Sequence, residues 1–413
     1  MSRRLAIIPR QLKAALVLAA VSFLTACQSQ SASSITALNS TLLSQTKVDN
    51  ASGQSVAYQI DVAHTGFARG PLRLPLKQLW SVDLGGKRGG VGYPVIANGI
   101  VVVIANERLI ALDEKTGEKL WVHRSPGGNG WVGQAYDNGI IFANSYLSRW
   151  QKHIGIYAFD ERTGEKLWSA PTPGQSVSSS PPTAASGVVY AAAGGVGGTV
   201  YAFDEFTGAL TWTAPVNGAD DSSPAVTSTG IFVSYACPQT YDLRPSDGQQ
   251  IWQFSGPCQG GGGSTPVLYH DLLFVGDSQQ SVGYNGLILN AKNGTIAGAF
   301  NAMFPPAFAN TLGFFVNPTT LEAQSIPTMK QVWNAQVRTG DDYLTPPLVV
   351  GEIVYVETAG SNLLGYDIRS GKKNVDIIVP NSGYYRSAFA GLAFGDGELL
   401  VPNGPYLIAF QGS

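Results

Sequence analysis

Short apolar segments that alternate with polar residues recur along this chain, and each is interrupted by a turn. Each copy has a first apolar segment, a turn pair such as Asn-Gly, Ser-Gly or Asp-Gly, and then three or four β-forming residues. Glycine and asparagine accept the positive φ angles of tight hairpins, so every copy predicts two antiparallel strands. The eight copies span residues 94–104, 134–143, 181–191, 223–235, 265–276, 305–316, 346–356 and 391–401.

A second phrase follows several of these copies and supplies another strand, turn and strand. It reads ALDEKTGEKLW at residues 111–121, AFDERTGEKLW at 158–168 and AFDEFTGALTW at 202–212. The aspartate can accept backbone N–H bonds across the turn, the glycine stands where a Cβ would clash, and the tryptophan ring can be buried between neighbouring sheets. We therefore assign structural roles to Asp113, Gly117, Trp121, Asp160, Gly164, Trp168, Asp204, Gly208, Trp212 and Trp252.

The two phrases together give four strands every 40 to 50 residues or so, about the repeat length of a β-propeller blade. The ends of the repeat region indicate how the ring closes. QLWSVDL at residues 78–84 is an outer strand with Trp80 but no blade before it, whereas the last copy lacks an outer strand. We expect an all-β, eight-bladed propeller in which this N-terminal strand completes the last blade and removes open sheet edges. Seven blades, with one eroded copy misread, is the alternative.

The N-terminal residues have the pattern of an export signal. Basic residues precede an apolar run from Ala14 to Leu24, which is too short to span a bilayer stably. The run ends in Leu24-Thr25-Ala26-Cys27, which resembles the lipobox of bacterial lipoproteins, where the cysteine is acylated. The alternative is an ordinary signal peptide with a chance cysteine. Gln28, in place of an aspartate, favours the outer membrane for a lipid-anchored protein.

This pattern divides the chain into three parts. We expect a lipoprotein signal peptide at residues 1–26, a flexible tether at 27–56 and the β-propeller domain at 57–413. The tether is rich in Ser, Gln, Asn and Thr and has few large apolar side chains to offset the entropy of ordering. The expected protein is a soluble body held to a membrane of the cell envelope.

Charge and cysteine usage narrow the function classes further. Charged residues make up 13% of the chain, against roughly 25% in average domains. The net charge of −2 offers no basic field for nucleic acid. Cys237 and Cys258 would lie in an oxidising compartment, and we expect them to form a disulfide. Disulfides need Cα atoms within about 7 Å, so the loop at Cys258 must fold back towards Cys237.

The phrase A-x-D-x-x-T-G-x-x-x-W is similar to the repeat of the pyrroloquinoline quinone (PQQ) type β-propellers, from about Tyr58 to the C-terminus. With the lipobox, the whole chain resembles the BamB family of outer-membrane assembly lipoproteins. Quinoprotein dehydrogenases of this fold hold PQQ and Ca²⁺ on the axis. The resemblance in the blades does not carry over that ligand set, because the chain has no Cys-Cys pair and no C-x-x-C-H haem site. We therefore expect no cofactor and no metal, and keep PQQ with Ca²⁺ as the alternative.

Loops that leave each outer strand and enter the next blade gather around one end of a propeller channel, and we call them the rim loops. Rigid sheets that present variable loops are where binding sites are usually built. These loops carry arginines, aromatic residues and acids, and two Asp pairs also allow a Ca²⁺ site as an alternative. The candidate binding residues are Arg88, Arg124, Trp131, Asp220, Asp221, Arg338, Asp341, Asp342, Tyr343, Tyr384, Tyr385 and Arg386.

Two hypotheses follow for function. In the first, a lipid-anchored, non-catalytic propeller binds an envelope protein or a glycan through the rim loops and exposed strand edges. In the second, an enzyme acts at the channel mouth, as a PQQ dehydrogenase or a carbohydrate-active lyase or hydrolase using residues such as Tyr385 and Arg386. His64, in the segment before the first strand, is interpreted as a structural residue whose ring bonds to backbone. A plugged channel would favour the first hypothesis, and a deep pocket with convergent carboxylates the second.

Overall fold

Strands and turns make up the described part of the chain. The computed structural model describes residues 54–85, 90–126, 130–145, 155–173, 180–195, 197–217, 222–235, 239–256, 265–277, 285–337, 341–342, 344–380 and 390–413. None of these residues belongs to a helix that could span a membrane.

The strands form eight sheets that follow one another along the chain. Blade 1 contains β3 (Val95–Ala97), β4 (Ile100–Ala105), β5 (Arg108–Asp113) and β6 (Lys119–Arg124), after the short β1 (Phe67–Ala68) and β2 (Leu76–Asp83). Blade 2 contains β7 (Trp131–Asp137), β8 (Ile140–Ser145), β9 (Gly155–Asp160) and β10 (Lys166–Pro171). Blade 3 contains β11 (Thr183–Ala185), β12 (Val188–Gly195), β13 (Gly197–Asp204) and β14 (Leu210–Val216). Blade 4 contains β15 (Ala225–Val226), β16 (Ile231–Tyr235), β17 (Gln239–Leu243) and β18 (Gln250–Ser255).

The second half of the ring repeats this arrangement. Blade 5 contains β19 (Val267–Tyr269), β20 (Leu272–Gly276), β21 (Gly286–Asn290) and β22 (Ile296–Phe300). Blade 6 contains β23 (Ala307–Ala309), β24 (Leu312–Val316), β25 (Thr320–Ser325) and β26 (Lys330–Gln336). Blade 7 contains β27 (Leu348–Val350), β28 (Ile353–Glu357), β29 (Asn362–Asp367) and β30 (Lys373–Ile378), and β1 adds to β27 in parallel. Blade 8 contains β31 (Ala393–Gly395), β32 (Glu398–Asn403) and β33 (Tyr406–Gly412).

The N-terminal strand completes blade 8. β2 pairs antiparallel with β33 over its whole length, from Leu76 opposite Gly412 to Asp83 opposite Tyr406. Trp80 therefore joins the sheet formed by the C-terminal residues. This pairing confirms the predicted eight-bladed propeller and its closure by an N-terminal strand, and it rules out seven blades.

The hydrophobic core is divided among the junctions between blades. Each of eight clusters of buried side chains combines residues from two neighbouring blades, and one of them joins blade 8 to blade 1. At that junction Trp80 and Leu400 of blade 8 pack with Ile96 and Val101 of blade 1. Since every blade buries both of its faces against its neighbours, the clusters hold the ring together all the way round.

Candidate functional site

The propeller has two different faces, which we name the turn face and the rim face. On the turn face, the hairpin between the first two strands of a blade lies beside the turn between its last two strands. In blade 1 the N–H of Glu114 donates to the carbonyl of Gly99 at 3.0 Å, and in blade 2 Glu161 donates to Gly139 at 3.0 Å. The rim loops and the turns between second and third strands lie on the opposite, rim face.

The repeated aspartates cap the turns of the turn face. Asp160 Oδ1 accepts the Thr163 N–H at 2.8 Å, the Thr163 hydroxyl at 2.8 Å and the Arg162 N–H at 3.1 Å. The backbone and side-chain hydrogen bonds of Thr163 hold the pKa of Asp160 below its ordinary value. A carboxylate occupied by its own turn has little capacity left for a ligand. The same arrangement recurs at Asp113, Asp204 and Asp367.

The repeated tryptophans connect neighbouring blades at six junctions of the ring. The Trp121 indole N–H of blade 1 donates to the Glu161 carbonyl of blade 2 at 2.9 Å, and the ring covers Gly164, which has a φ of 70°. A Cβ built on Gly164 would lie 2.7 Å from Trp121 Cγ. The other indole hydrogen bonds of this kind join Trp80 to Glu114, Trp168 to Glu205, Trp212 to Pro245, Trp252 to Ala291 and Trp333 to Ile368.

An irregular segment before β1 crosses the turn end of the channel. This axial segment, residues 54–66, bonds to the innermost strands of the blades close to their hairpins. The Ser55 hydroxyl donates to the Phe394 carbonyl of blade 8 at 2.8 Å, and Val62 packs against the cluster between blades 3 and 4. Six inner-strand N–H groups donate to its carbonyls at 2.6 to 3.0 Å: Ile96 to Ser55, Tyr136 to Val56, Val226 to Val62, Leu268 to Ala63, Phe308 to Thr65 and Val349 to Gly66.

The titratable side chains of the axial segment serve the fold. His64 is fully buried, with Nδ1 2.6 Å from the Tyr58 carbonyl oxygen and Nε2 2.9 Å from that of Pro224. Burial lowers the pKa of His64 to about 4. Asp61 accepts the N–H groups of Ala63 and Thr65 at 3.0 Å each, and burial raises the pKa of its carboxyl. Neither group is open to a ligand, as the sequence interpretation of His64 anticipated.

Most of the candidate rim residues, and all three cysteines, fall outside the described residues. These are Arg88, Asp220, Asp221, Arg338, Tyr343, Tyr384, Tyr385 and Arg386, together with Cys27, Cys237 and Cys258. Among the described candidates, Trp131 begins β7 and is only 6% exposed, packed edge-on against Tyr157 and Phe159. Its indole therefore contributes to the junction between blades 1 and 2 and leaves little surface for a partner.

Asp341 and Asp342, the Asp pair in the rim loop before blade 7, have different roles. Asp341 Oδ1 accepts the Gly360 N–H at 2.7 Å and the Asp342 N–H at 2.9 Å, so it fixes the rim loop to the turn between β28 and β29. The Ala359 N–H donates to the Asp342 carbonyl at 2.8 Å. The Asp342 side chain is exposed. Of this pair, only Asp342 presents its carboxylate to solvent at the rim.

Arg124 is the predicted residue that the structure places at a cavity. The cavity has a volume of about 280 Å³ and lies on the rim face of blade 1. Sequence reasoning missed most of its lining, because Asn106, Glu107 and Arg108 form the tight turn between β4 and β5, which the repeat pattern treats only as a connection. The lining residues are Asn106, Glu107, Arg108, Arg124 and Ser125.

The alternative of PQQ with Ca²⁺ needs oxygen ligands that are grouped to hold the ion. Within the part of the chain that the structure describes, no three His, Cys, Asp or Glu side chains are grouped to hold a metal ion. Glu357, at the end of β28, is buried and accepts a hydrogen bond from the Asn403 amide. Burial raises its pKa to about 8, so it stays largely protonated at neutral pH and would be a poor Ca²⁺ ligand.

Comparison with known proteins agrees with this geometry. The family model for outer membrane protein assembly factor BamB matches residues 76–141 and 152–298, which is just over half of the chain. The chain belongs to the BamB family. No curated protein sequence matches it.

Solved structures similar to this BamB family member share its fold at low sequence identity. BamB from Moraxella catarrhalis has a TM-score of 0.61 and 13% identity, with 82% of this chain and 98% of that chain covered. A europium-containing methanol dehydrogenase has a TM-score of 0.70 and 15% identity, covering 86% and 90%. The quinohemoprotein alcohol dehydrogenase from Comamonas testosteroni has a TM-score of 0.69 and 16% identity, covering 87% and 81%. A BamB protein and two dehydrogenases are thus built on the same fold.

Proposed function

We propose that this BamB family member is a non-catalytic binding scaffold of the cell envelope that engages a protein partner through its rim face. The observation that carries the proposal is the axial segment. A propeller enzyme of the quinoprotein type uses its axis for a cofactor, whereas here the turn end of the axis is filled by the chain itself, with His64 and Asp61 both buried.

The rim face presents exposed charged side chains that could contact a partner. On the turn face, the repeated aspartates cap turns and the repeated tryptophans contact the next blade. These side chains are therefore already engaged within the fold. On the rim face, Arg124 at the end of β6 and Asp342 in the loop before blade 7 are both exposed. Loops presented by a rigid ring suit recognition of another protein, because little backbone order has to be gained on binding.

Attachment to a membrane is part of the same proposal. The Leu24-Thr25-Ala26-Cys27 pattern supports lipidation of Cys27, and Gln28 supports the outer membrane as the site of the anchor. A BamB family member in this position would act in the periplasm or at the cell surface. Its partner would be another envelope protein.

Site-specific photo-crosslinking in cells tests the proposal. Replacing Arg124 with p-benzoylphenylalanine places the reactive group on the rim face, and the matched control places it at Lys166, which is exposed near the turn end of β10. We expect protein adducts from position 124 and none of the same mass from position 166, by immunoblot and mass spectrometry. Adducts to glycan alone, or identical protein adducts from both positions, would contradict a protein-binding rim.

Quinone binding is the measurement that separates the scaffold from an enzyme. The purified protein is incubated with PQQ and Ca²⁺, and the quinone absorbance and the reduction of an artificial dye with alcohols are recorded. We expect no bound quinone after gel filtration and no dye reduction. Stoichiometric retention of the quinone would overturn the non-catalytic assignment.

A further inference from the structure

Two arginines face each other across neighbouring strands at the cavity of blade 1. Arg108 begins β5, Arg124 ends β6, and the two residues are direct partners in the antiparallel register. Like charges placed opposite each other destabilise a sheet unless an anion lies between them. The cavity opens at this pair, so an anion bound there would relieve the repulsion.

The two guanidinium groups are incompletely paired. Arg108 Nη2 donates to the Leu84 carbonyl at 3.0 Å, while Arg108 Nε is buried and has no acceptor. Arg124 has no hydrogen-bond or ion-pair partner among the described residues. Each guanidinium has five N–H donors in a planar fork that matches a carboxylate. The cavity thus combines a charge repulsion with unused donors of the right geometry.

The turn that lines the cavity holds an unusual backbone. Asn106 and Glu107 have φ angles of 49° and 65°, so a glutamate occupies the left-handed region. The side-chain Cβ and Cγ atoms of Glu107 lie 3.5 Å from the Cβ position of Gly130 in the next rim loop. Glu107 adds one negative charge beside the two positive charges of Arg108 and Arg124. The cavity therefore keeps a net positive charge that about one carboxylate would neutralise.

The edge of blade 1 indicates where that carboxylate would come from. β6 is the outer strand, and no strand among the described residues pairs with its outer backbone edge. Its exposed face carries Leu120 at 47%, Val122 at 42% and then Arg124, two residues apart each time. Among the outer strands, β6 alone presents two large apolar residues followed by an arginine. An extended peptide could add to this edge with two apolar side chains and an acid in register.

We propose that β6 and the Arg108–Arg124 cavity bind an extended acidic segment of the partner protein, with apolar residues on Leu120 and Val122 and a Glu or Asp carboxylate between the two arginines. This inference rests on the proposed binding function and names the chemistry of its ligand. A glycan could supply a carboxylate but could not pair with the strand edge, so a peptide is the ligand that uses both features.

A labelled peptide that fits either strand direction tests the proposal. The probe is acetyl-Glu-Thr-Val-Thr-Val-Thr-Glu-amide with a fluorophore, and the matched probe has glutamine at both ends. Fluorescence anisotropy with the purified full chain should show at least tenfold tighter binding of the glutamate probe, weakening as NaCl is raised, because exposed charges are screened. Equal affinities for the two probes would overturn the carboxylate site.

Variants locate the binding. Arg124→Gln should remove the preference for glutamate, Arg124→Lys should restore only part of it, and Val122→Thr should weaken both probes. Lys166→Gln on the turn face is the control and should change nothing, and the melting temperature of each variant shows whether it is folded. Unchanged glutamate preference in Arg124→Gln would overturn the assignment.

The same assay distinguishes a peptide ligand from a glycan ligand. Together with the crosslinking experiment, it also distinguishes failure of the proposed ligand from failure of the proposed function. Trigalacturonate that binds with the same Arg124 dependence, while the glutamate peptide does not bind, would overturn the peptide assignment. If position 124 still crosslinks to a protein in cells but the glutamate preference is absent, the proposed binding function is supported and the proposed acidic ligand is contradicted.

Discussion

At the scale of single residues, glycine and tryptophan act as a pair across each repeated junction. The glycine lies in the left-handed region at the turn, and the ring from the preceding blade covers it. Two independent constraints therefore favour glycine where a tryptophan ring covers the turn, one from the backbone angle and one from the ring. The recurrence of both residues in the second phrase follows from this contact and requires no ligand.

Alanine substitutions at two glycines separate the two constraints. Gly164→Ala should destabilise the protein by about 2 to 4 kcal/mol, because the residue is strained and its Cβ meets Trp121. Gly139→Ala is the control, since its φ of 82° is similar but no atom lies within 4 Å of the added Cβ. It should cost about 1 kcal/mol from strain alone. Urea unfolding measures both, and equal losses would show that the ring contact contributes little.

At the scale of elements, the axial segment connects blades that are far apart in the sequence. Its carbonyls accept inner-strand N–H groups from blades 1, 2, 4, 5, 6 and 7, and Ser55 reaches blade 8. These N–H groups face the axis, so without the segment they would lose their acceptors. A buried donor left without an acceptor costs about 1 to 3 kcal/mol.

Truncation tests the contribution of the axial segment. Deleting residues 1–66 should lower the melting temperature by about 10 °C or more, because six inner-strand donors lose their partners. Deleting residues 1–52 is the control and should leave the melting temperature unchanged. Circular dichroism follows both, with retention of the β-sheet signal showing that the ring still forms. A truncated protein that melts like the control would mean that the blades alone determine stability.

The elements differ in how far the sequence could predict them. The blades were predictable because their signals are local: an Asn-Gly or Asp-Gly hairpin, a capped turn and a tryptophan at fixed spacing. The closing strand was predictable because QLWSVDL has the outer-strand phrase without a blade. The axial segment was recognised only as a lead-in, since most of its contacts are backbone hydrogen bonds to strands that are distant in the sequence, such as Val349 to Gly66, and these leave no pattern of side chains.

The binding surface was predictable only as a set of loops. The order of strands in a blade places all rim loops at one end, which the sequence reasoning used. It could not show that Trp131 turns inwards, that Asp341 caps a neighbouring turn or that Arg108 lies opposite Arg124. Those contacts depend on the three-dimensional arrangement of turns and loops that belong to different pairs of strands.

At the scale of the whole molecule, buried carboxyl groups are distributed around the ring. Burial raises the pKa of Glu357 to about 8 and that of Asp242 to about 7, and it also raises the pKa of Glu398. The folded protein therefore binds more protons than the unfolded chain between about pH 4.5 and pH 8. The contribution of these carboxyl groups to stability therefore falls as the pH rises through this window. The lowered pKa of His64 has the opposite effect. The unfolded chain takes up this proton before the folded protein does, so the contribution of His64 to stability falls as the pH drops below about 6.5.

Glu357 allows this dependence to be measured. Between pH 6.5 and 9 the free energy of unfolding should decrease, because the folded state retains the proton of Glu357 that the unfolded chain has released, until the pH passes the folded pKa of about 8. Glu357→Gln keeps an acceptor for the Asn403 amide and cannot ionise, so its stability should vary less with pH and exceed that of the wild type at pH 9. Urea unfolding at several pH values provides the test, with exposed Glu118→Gln as the control. A parallel pH dependence in wild type and Glu357→Gln would contradict it.

The closure of blade 8 by β2 has a consequence for the order of assembly. A ribosome releases β2 and the axial segment before any of the blades, yet β2 pairs with β33, which follows all the other strands of the ring. β2 therefore stays without its partner strand until β33 has been made. Pairings across such a distance are slow to form, and unpaired strands aggregate readily in the meantime. For this protein the hazardous period is the interval before the two ends meet, when a chaperone would have most to protect.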